Sequence, residues 1–499
     1  MAFWKRLTIE RLAAIVLFLL LFAMAVRVPV DSDTWWHLRS GETIVEQRAI
    51  PRTDSFSHTR AGAEWLDHGW GAQVILYGLY ELFGGTTAPG DPGAIGLTLY
   101  TAGLALAGLA LVYRMCSGNA YLRAFVLALA ASAAAVFWSP RPQMFSFVLS
   151  AAVLYLLHLY KRRQIDRLWL IPPLMALWVN LHGGFAIGFI LLLGTLAGEV
   201  IANLVDRDAP DVIAWPRLRK LALITLLALA AVALNPYGVR MLAYPFQTVG
   251  IGVLQDFIQE WGSPDFHQIE TWPFAALLLA VLAAAALSTR RMDWSDLVLV
   301  TGTALMSLMA GRNIALFAVV AAPVLTRHAD HWLTEQGWQL QPTREVRGPL
   351  LLLNWLLLAV IGAGVLVKVV AVLNTDTVRD AQEMLLPVEV GMLLDDSPPP
   401  GLMFNSYNWG GYLMFAAPDV PVYVDGRTDL YDDEFLRDYL DIAFVHEGWR
   451  ERLDEQQIGF VVIEAESTLA MMLRQEPGWQ ETRLDAGRSS VFVRRESGS

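Results

Sequence analysis

Asp31-Ser32-Asp33-Thr34-Trp35-Trp36-His37-Leu38-Arg39 follows directly on the apolar run Leu12 to Val30. Two carboxylates, two indoles and an imidazole thus stand where a membrane helix should reach water. Asp33 has the chemistry of an N-cap, and a helix opening there puts Trp36, His37, Ser40 and Gly41 on one face. On its own the stretch also fits a capped amphipathic helix with tryptophans at the lipid interface. Its meaning therefore depends on the rest of the chain.

Of the 499 residues, 55% are hydrophobic and only 17% are charged, too apolar for a soluble domain. The pattern is that of an all-α polytopic membrane bundle. Lys5, Arg6 and Arg11 precede the first run, which is long enough to span a bilayer at about 20 residues per helix. Ala23-Met24-Ala25 has the form of a signal-peptidase site, but the run continues to Val30 and many apolar segments follow, which favours a retained helix. A single cysteine, Cys116, excludes an intramolecular disulfide and a cysteine-rich metal site. The net charge of -11 argues against nucleic acid as a partner.

A polar segment over residues 31–92 reads as a large first loop with two helices, one opened by Asp33 and one over Trp65 to Phe83. Further spans are expected at Ala94–Tyr113, Ala120–Trp138, Met144–Tyr160, Leu168–Leu181, Phe185–Leu204 and Leu221–Leu234. Three more centre near Leu279, Thr303 and Val319, and a last runs from Leu350 to Val372, about eleven in all. Alternate loops hold the basic residues: Arg114 and Arg123; Lys161, Arg162, Arg163 and Arg167; Arg217, Arg219 and Lys220; Arg290 and Arg291; Arg327, Arg344 and Arg347. The positive-inside rule makes these loops and the N-terminus cytoplasmic, and the acidic tail extracytoplasmic. That tail, residues 375–499, reads as a small α/β domain distinct from the transmembrane domain 1–374. Its expected strands are Leu402–Phe404, Val422–Asp425, Phe460–Ile463 and Ser490–Val493, and its helices Trp409–Phe415, Asp433–Tyr439 and Ser467–Arg474. Glu496–Ser499 reads as a disordered end.

On this topology the unusual polar residues fall on the outer side. Glu64-Trp65-Leu66-Asp67-His68 shares the first loop with Asp31 and Asp33. Ser139-Pro140-Arg141-Pro142-Gln143, Asn180-Leu181-His182-Gly183-Gly184, Asn235-Pro236-Tyr237, Glu260-Trp261-Gly262-Ser263-Pro264-Asp265-Phe266-His267 and Gly311-Arg312-Asn313 occupy later outer loops. Each has a plain structural explanation in turn chemistry or helix capping, and the tryptophans one in an interfacial belt. Their convergence on one side is what makes a site. Carboxylates Asp31, Asp33, Glu64 and Asp67 suit a general base or a divalent ion, while Arg141, Arg312 and the histidines His37, His68 and His182 suit a phosphate leaving group. Asp31, Asp33, His37, Asp67 and His68 have metal-ligand chemistry without a diagnostic spacing. No nucleophilic serine motif, zinc-protease motif or phosphate-binding glycine loop is present. In the tail, Asn405-Ser406-Tyr407-Asn408-Trp409-Gly410-Gly411 and Asp425-Gly426-Arg427-Thr428-Asp429 follow expected strands. They either line a site, with Trp409 stacking on a sugar, or form loops with an Asp425–Arg427 ion pair.

An N-in first helix, an Asp-x-Asp stretch directly after it, a large outer loop with two helices, many spans and a C-terminal outer domain resemble the GT-C superfamily. These membrane glycosyltransferases use polyprenyl-phosphate sugars. The segments Asp33–Leu38, Arg141–Gln143, Glu260–Asp265 and Val424–Tyr431 also resemble a group of bacterial multi-pass membrane proteins. The GT-C resemblance implies hexosyl or pentosyl transfer from a polyprenyl-phosphate donor to a glycan, lipid or protein acceptor at the extracytoplasmic face of the bacterial inner membrane. It puts the catalytic carboxylate that activates the acceptor on Asp31 or Asp33, with or without a divalent metal held by Asp31, Asp33 and His37. Substrate binding falls on His37, Glu64, Asp67, His68, Arg141, Gln143, His182, Glu260, Arg312, Asn313, Trp409, Asp425 and Arg427. The sequence departs from the pattern in having Asp-Ser-Asp where relatives often have adjacent acids, and in its small outer domain. A non-enzymatic transporter or binder of lipid-linked saccharides is the rival reading, and a membrane metalloenzyme using Asp31, Asp33, His37 and His68 a third.

Overall fold

The computed structural model of the chain describes residues 7–209, 211–249, 252, 259–338, 346 and 348–495. Lys5, Arg6, Arg344, Arg347 and Glu496–Ser499 lie outside the described residues. Thr8 caps the first helix, α1 (Ile9–Ala25), by accepting from the Arg11 amide. That helix ends five residues before the apolar run does. Val26 is already extended, because Pro29 cannot continue a helix ladder and favours an extended lead-in. Arg27 therefore leaves the helix at its end rather than lying within a span.

The first loop does hold two helices, α2 (Thr34–Gln47) and α3 (Trp70–Leu82). The expected face of α2 is buried: Trp36, His37, Ser40 and Gly41 all pack inward, mainly on α3. Gly41 is required there, since a Cβ would run into the Gln73 carbonyl. The bundle continues with α4 (Gly93–Met115), α5 (Ala120–Ala134), α6 (Gln143–Arg162), α7 (Ile171–Val179), α8 (Ala186–Val205), α9 (Trp215–Ala231) and the short α10 (Tyr244–Val249). It closes with α11 (Trp272–Leu287), α12 (Trp294–Met309), α13 (Ile314–Glu335) and α14 (Pro349–Val372). Among the described residues, 6 helical segments are long and apolar enough to cross a membrane, against the eleven expected. The shorter apolar helices include Leu168–Val179 and Trp294–Met309. The helix of α14 keeps 6% of its most apolar window buried, as a helix facing lipid would.

One end of the bundle holds a charge network. Arg162, the last residue of α6, donates to Asp211 at 2.8 Å and to Asp296 at 2.9 Å, and Arg327 also binds Asp296. Buried Lys161 pairs with Glu199 and donates to Ser295 at 2.6 Å. The other end of α6 is Gln143, about 30 Å away at 1.5 Å per residue, and there the candidate site lies.

The C-terminal part carries a four-stranded mixed sheet of order β1-β2-β4-β3, with β1 (Leu402–Asn405) parallel to β2 (Ile458–Glu464) and β4 (Ser489–Arg494) antiparallel to β2 and to β3 (Trp479–Leu484). Val422–Asp425, expected as a strand, is not one. Val422 instead bridges Ser57 of the first loop, exchanging main-chain bonds with Phe56 and His58 at 3.1 and 3.0 Å. The edge strand β3 and the helices Thr375–Leu385, Val388–Asp396 and Trp449–Glu455 were not expected. Thr59 and His58 add side-chain bonds to the Tyr423 and Met403 carbonyls, so the first loop and the C-terminal part form one packed unit.

Candidate active site

Asp33 occupies the N-cap position of α2, yet its side chain makes no capping bond. It is drawn instead to Arg141, whose Nη1 donates to Asp33 Oδ2. Arg141 stands in a short turn between Pro140 and Pro142. Its amide donates to Ser139 O at 2.8 Å, its carbonyl accepts from Tyr100 Oη at 3.0 Å, and Thr34 Oγ1 bonds to the Pro140 carbonyl at 3.3 Å. The guanidinium also donates from Nη2 to Glu260 Oε2 at 2.9 Å and Gln143 Oε1 at 3.0 Å, and its Nε lies 3.5 Å from Asp31 Oδ2. Asp31 Oδ1 in turn accepts from the Asp33 amide at 2.9 Å.

Three carboxylates thus share one guanidinium. Burial, opposed by Arg141 but reinforced by Asp31 and Glu260, pushes the Asp33 carboxyl up to about 6. Burial also acts to raise Glu260, but Arg141 and Arg312 outweigh it and hold it below the usual carboxylate range. Arg141 is held above its ordinary value, burial being outweighed by the three acids. Arg312 lies in the turn Gly311–Asn313, pinned by Gly311 N donating to Gly262 O at 3.0 Å, and its guanidinium stacks 4.1 Å over the Trp261 ring. Among the described residues no carboxylate forms an ion pair with Arg312, and burial lowers its basicity.

These groups line a cavity of about 970 Å³, at the upper end of the range for small-molecule sites. The C-terminal part contributes Tyr407, Asn408, Gly426 and Thr428 to its wall. Gly426 presses directly on Asp33, where a Cβ would meet Oδ1.

A second buried cluster adjoins the first. Gln73 Nε2 donates to Asp67 Oδ1 at 2.7 Å and lies 3.5 Å from His37 Nδ1. His68 faces Asp429 at 3.7 Å and His182 at 5.8 Å between ring centroids. His182 Nδ1 accepts from the Gly184 amide at 3.0 Å and from Ser146 Oγ at 2.7 Å, which leaves its proton on Nε2. Burial first, then neighbouring positive charge, holds His37 and His182 well below the ordinary histidine value, so both are neutral. Burial pushes Asp67 up to about 7 against the pull of His68.

The structure therefore brings Asp31, Asp33, Arg141, Gln143, Glu260 and Arg312 together on one cavity, and His37, Asp67, His68 and His182 beside it. Other expected residues lie apart. Glu64 is exposed and forms a two-pronged pair with Arg240 at 2.6 and 3.0 Å, an ordinary surface bridge. Asn313 donates to the Met306 carbonyl at 3.0 Å, and Trp409 is buried in packing. Asp425 and Arg427 are fully buried partners: Arg427 binds Asp425 at 2.8 and 2.6 Å and Asp54 at 2.6 Å, with the Trp65 and Phe56 rings 4.9 and 5.1 Å away. All three arms of Arg427 are occupied, so it holds the first loop to the C-terminal part. The metal set does not assemble either. His37 turns to Gln73 while Asp31 and Asp33 turn to Arg141, and among the described residues no three His, Cys, Asp or Glu side chains are placed to hold an ion. Of the tail segments expected either to line a site or to form loops, Tyr407, Asn408 and Thr428 line the cavity, whereas sequence reasoning passed over Arg27 as a lining residue. For Arg27 the signal was there, a base followed by Val-Pro at the end of an apolar run.

No family model matches the chain, and neither does any curated protein. The structure is similar to oligosaccharyltransferase AglB of Archaeoglobus fulgidus in complex with an inhibitory peptide and a dolichol-phosphate, with TM-score 0.58 and 11% identity over 97% of this chain and 74% of that one. The same organism's oligosaccharyltransferase tethered to an acceptor peptide containing the NVT sequon gives TM-score 0.55 and 12% identity over 97% and 74%. ArnT from Cupriavidus metallidurans bound to undecaprenyl phosphate aligns over 97% of this chain and 98% of that one, with 14% identity and TM-score 0.49. At 11–12% identity the likeness is one of fold alone: the chain has the fold of these oligosaccharyltransferases, and 6 of its described helical segments are long and apolar enough to cross a membrane.

Proposed function

We propose that the chain transfers a sugar from a polyprenyl-phosphate donor to an acceptor at the extracytoplasmic face of the membrane. The observation that carries this reading is the pairing, in one cavity just past the first apolar helix, of a carboxylate raised to about 6 with the Arg312 guanidinium, to which no acid among the described residues is bonded. Asp33 accepts the proton of the acceptor's nucleophilic group as that atom bonds to the anomeric carbon. The bond from the anomeric carbon to the phosphate oxygen breaks, and its electron pair leaves on the polyprenyl phosphate. A well-placed base contributes about 10²–10⁴ in rate. Arg141, whose donors are engaged by acids, orients Asp33 and Glu260. Arg312 is the better partner for the departing phosphate, since a phosphate beside the acid trio would be repelled.

The dolichol-phosphate of the AglB structure supports a lipid-phosphate donor on this fold. The outward placement rests on the basic residues at the far end of α6, where Lys161, Arg162 and Arg327 gather. The test is incubation of the purified protein in nanodiscs with radiolabelled polyprenyl-phosphate hexoses and pentoses and an envelope extract. Label should move to an acceptor with the wild type and not with Asp33→Asn. Translocation of intact donor without cleavage would overturn the enzyme reading in favour of a transporter.

A further inference from the structure

Arg27 is the one charged residue between the end of α1 and Asp31, and it lines the same cavity as Asp33 and Arg312. Its Nη1 donates to the Ala135 carbonyl at 2.9 Å and its Nε to the Met24 carbonyl at 3.3 Å. Among the described residues no carboxylate lies within ion-pair distance of it. Lys368 of α14 reaches the same place, where its Nζ donates to the Ala23 carbonyl, and it too has no acid partner among the described residues. The contrast with Arg141 is sharp, since that guanidinium is shared by three acids.

The surroundings of Arg27 indicate what would complete it. Arg27 is exposed, and so is Val136, at 48%, on the wall of the same cavity, so the cavity reaches the surface there. That surface lies at the end of an apolar helix, against Val28, Val30, Phe137 and Trp138. A cation at the rim of an apolar surface calls for an anion whose other end is apolar. An arginine that only reached outward to bulk headgroups would have no reason to line the internal cavity.

We infer that Arg27, assisted by Lys368, captures the phosphate of an incoming lipid monophosphate at the membrane-side mouth of the cavity. This rests on the lipid-phosphate reading above and assigns the residue that receives the donor on its way to Arg312. The same chemistry can come from two sources, a polyprenyl phosphate or the phosphate of an ordinary phospholipid, and the test separates them.

The experiment measures binding of a fluorescent polyprenyl monophosphate to the full chain in nanodiscs of phosphatidylcholine, and again in nanodiscs containing phosphatidylglycerol. Arg27→Gln, whose amide can still bond to the Ala135 carbonyl, should weaken binding at least 10-fold, in line with loss of one charge-assisted contact. Arg27→Lys should recover most of it, and the melting temperature should be unchanged in both. Phosphatidylglycerol should compete only weakly. Equal affinity of wild type and Arg27→Gln, or full displacement by phosphatidylglycerol, overturns the inference and leaves the transferase reading standing. Absence of any polyprenyl-phosphate binding by the wild type overturns both. Weakened binding in a protein that shows no transfer supports the capture site while removing the enzymatic reading.

Discussion

Replacement of Arg141 by glutamine removes the one charge that holds three acids together, and its cost follows from the geometry. Glu260 lies 2.9 Å and Asp31 3.5 Å from the guanidinium, and Asp33 is bonded to it directly. Unit charges about 4 Å apart attract by about 4 kcal/mol at an effective dielectric of 20. Part of this is discounted because the Glu260 side chain is 36% exposed. Removing one partner of a buried pair costs about 3–5 kcal/mol, because the remaining charges stay buried and repel. Arg141→Gln should therefore lose about 3–5 kcal/mol in denaturant unfolding from mixed micelles. The double variant Arg141→Gln/Glu260→Gln should be more stable than the single one, with a coupling of about 1–3 kcal/mol, since the amide no longer repels its neighbours. Loss of under about 1 kcal/mol, or strictly additive effects, would show that Arg141 is not the keystone of the cluster.

Three other outcomes test the remaining assignments. Glu64→Ala breaks only an exposed, solvent-screened pair with Arg240 and should leave both the unfolding midpoint and transfer unchanged. Gly41→Ala forces a methyl group against the Gln73 carbonyl between α2 and α3, and should cost about 1–3 kcal/mol in the same unfolding assay. Arg427→Met leaves Asp54 and Asp425 buried without their cation and should loosen the first loop from the C-terminal part, seen as faster proteolysis within residues 50–65.

Much of the architecture is written in local patterns. The apolar runs and the face of α2 follow from periodicity, and β1, β2 and β4 are short apolar segments bounded by turn residues. The failures have physical causes. Val422-Tyr423-Val424 has the composition of a strand, but its main chain is taken by the first loop, a partner more than 350 residues away in sequence. The edge strand Trp479–Leu484 reads Trp-Gln-Glu-Thr-Arg-Leu, and half of its side chains are exposed and none is buried, so no apolar alternation marks it. At the site, sequence singled out Asp33, Arg141, Glu260 and Arg312 as polar exceptions on one side, and these do meet. It had no means of separating Glu64, equally acidic and close in the chain, from Asp67. The difference is burial, which only tertiary packing decides: Asp67 is 1% exposed, while Glu64 is on the surface. It also passed over Arg27, absorbed in an apolar run whose helical part stops at Ala25.

The central claim is that Asp33 acts as the base in this cavity, and single-turnover transfer from a radiolabelled polyprenyl-phosphate sugar, followed across pH, tests it most directly. A base works when ionised, so the rate should fall as pH drops through about 6, where burial has placed the Asp33 carboxyl, rather than near 4 as for an ordinary aspartate. Asp33→Asn should be slower by about 10² or more throughout and lose this dependence. A wild-type rate that stays level to pH 4, or an Asp33→Asn rate equal to that of the wild type, would contradict the account.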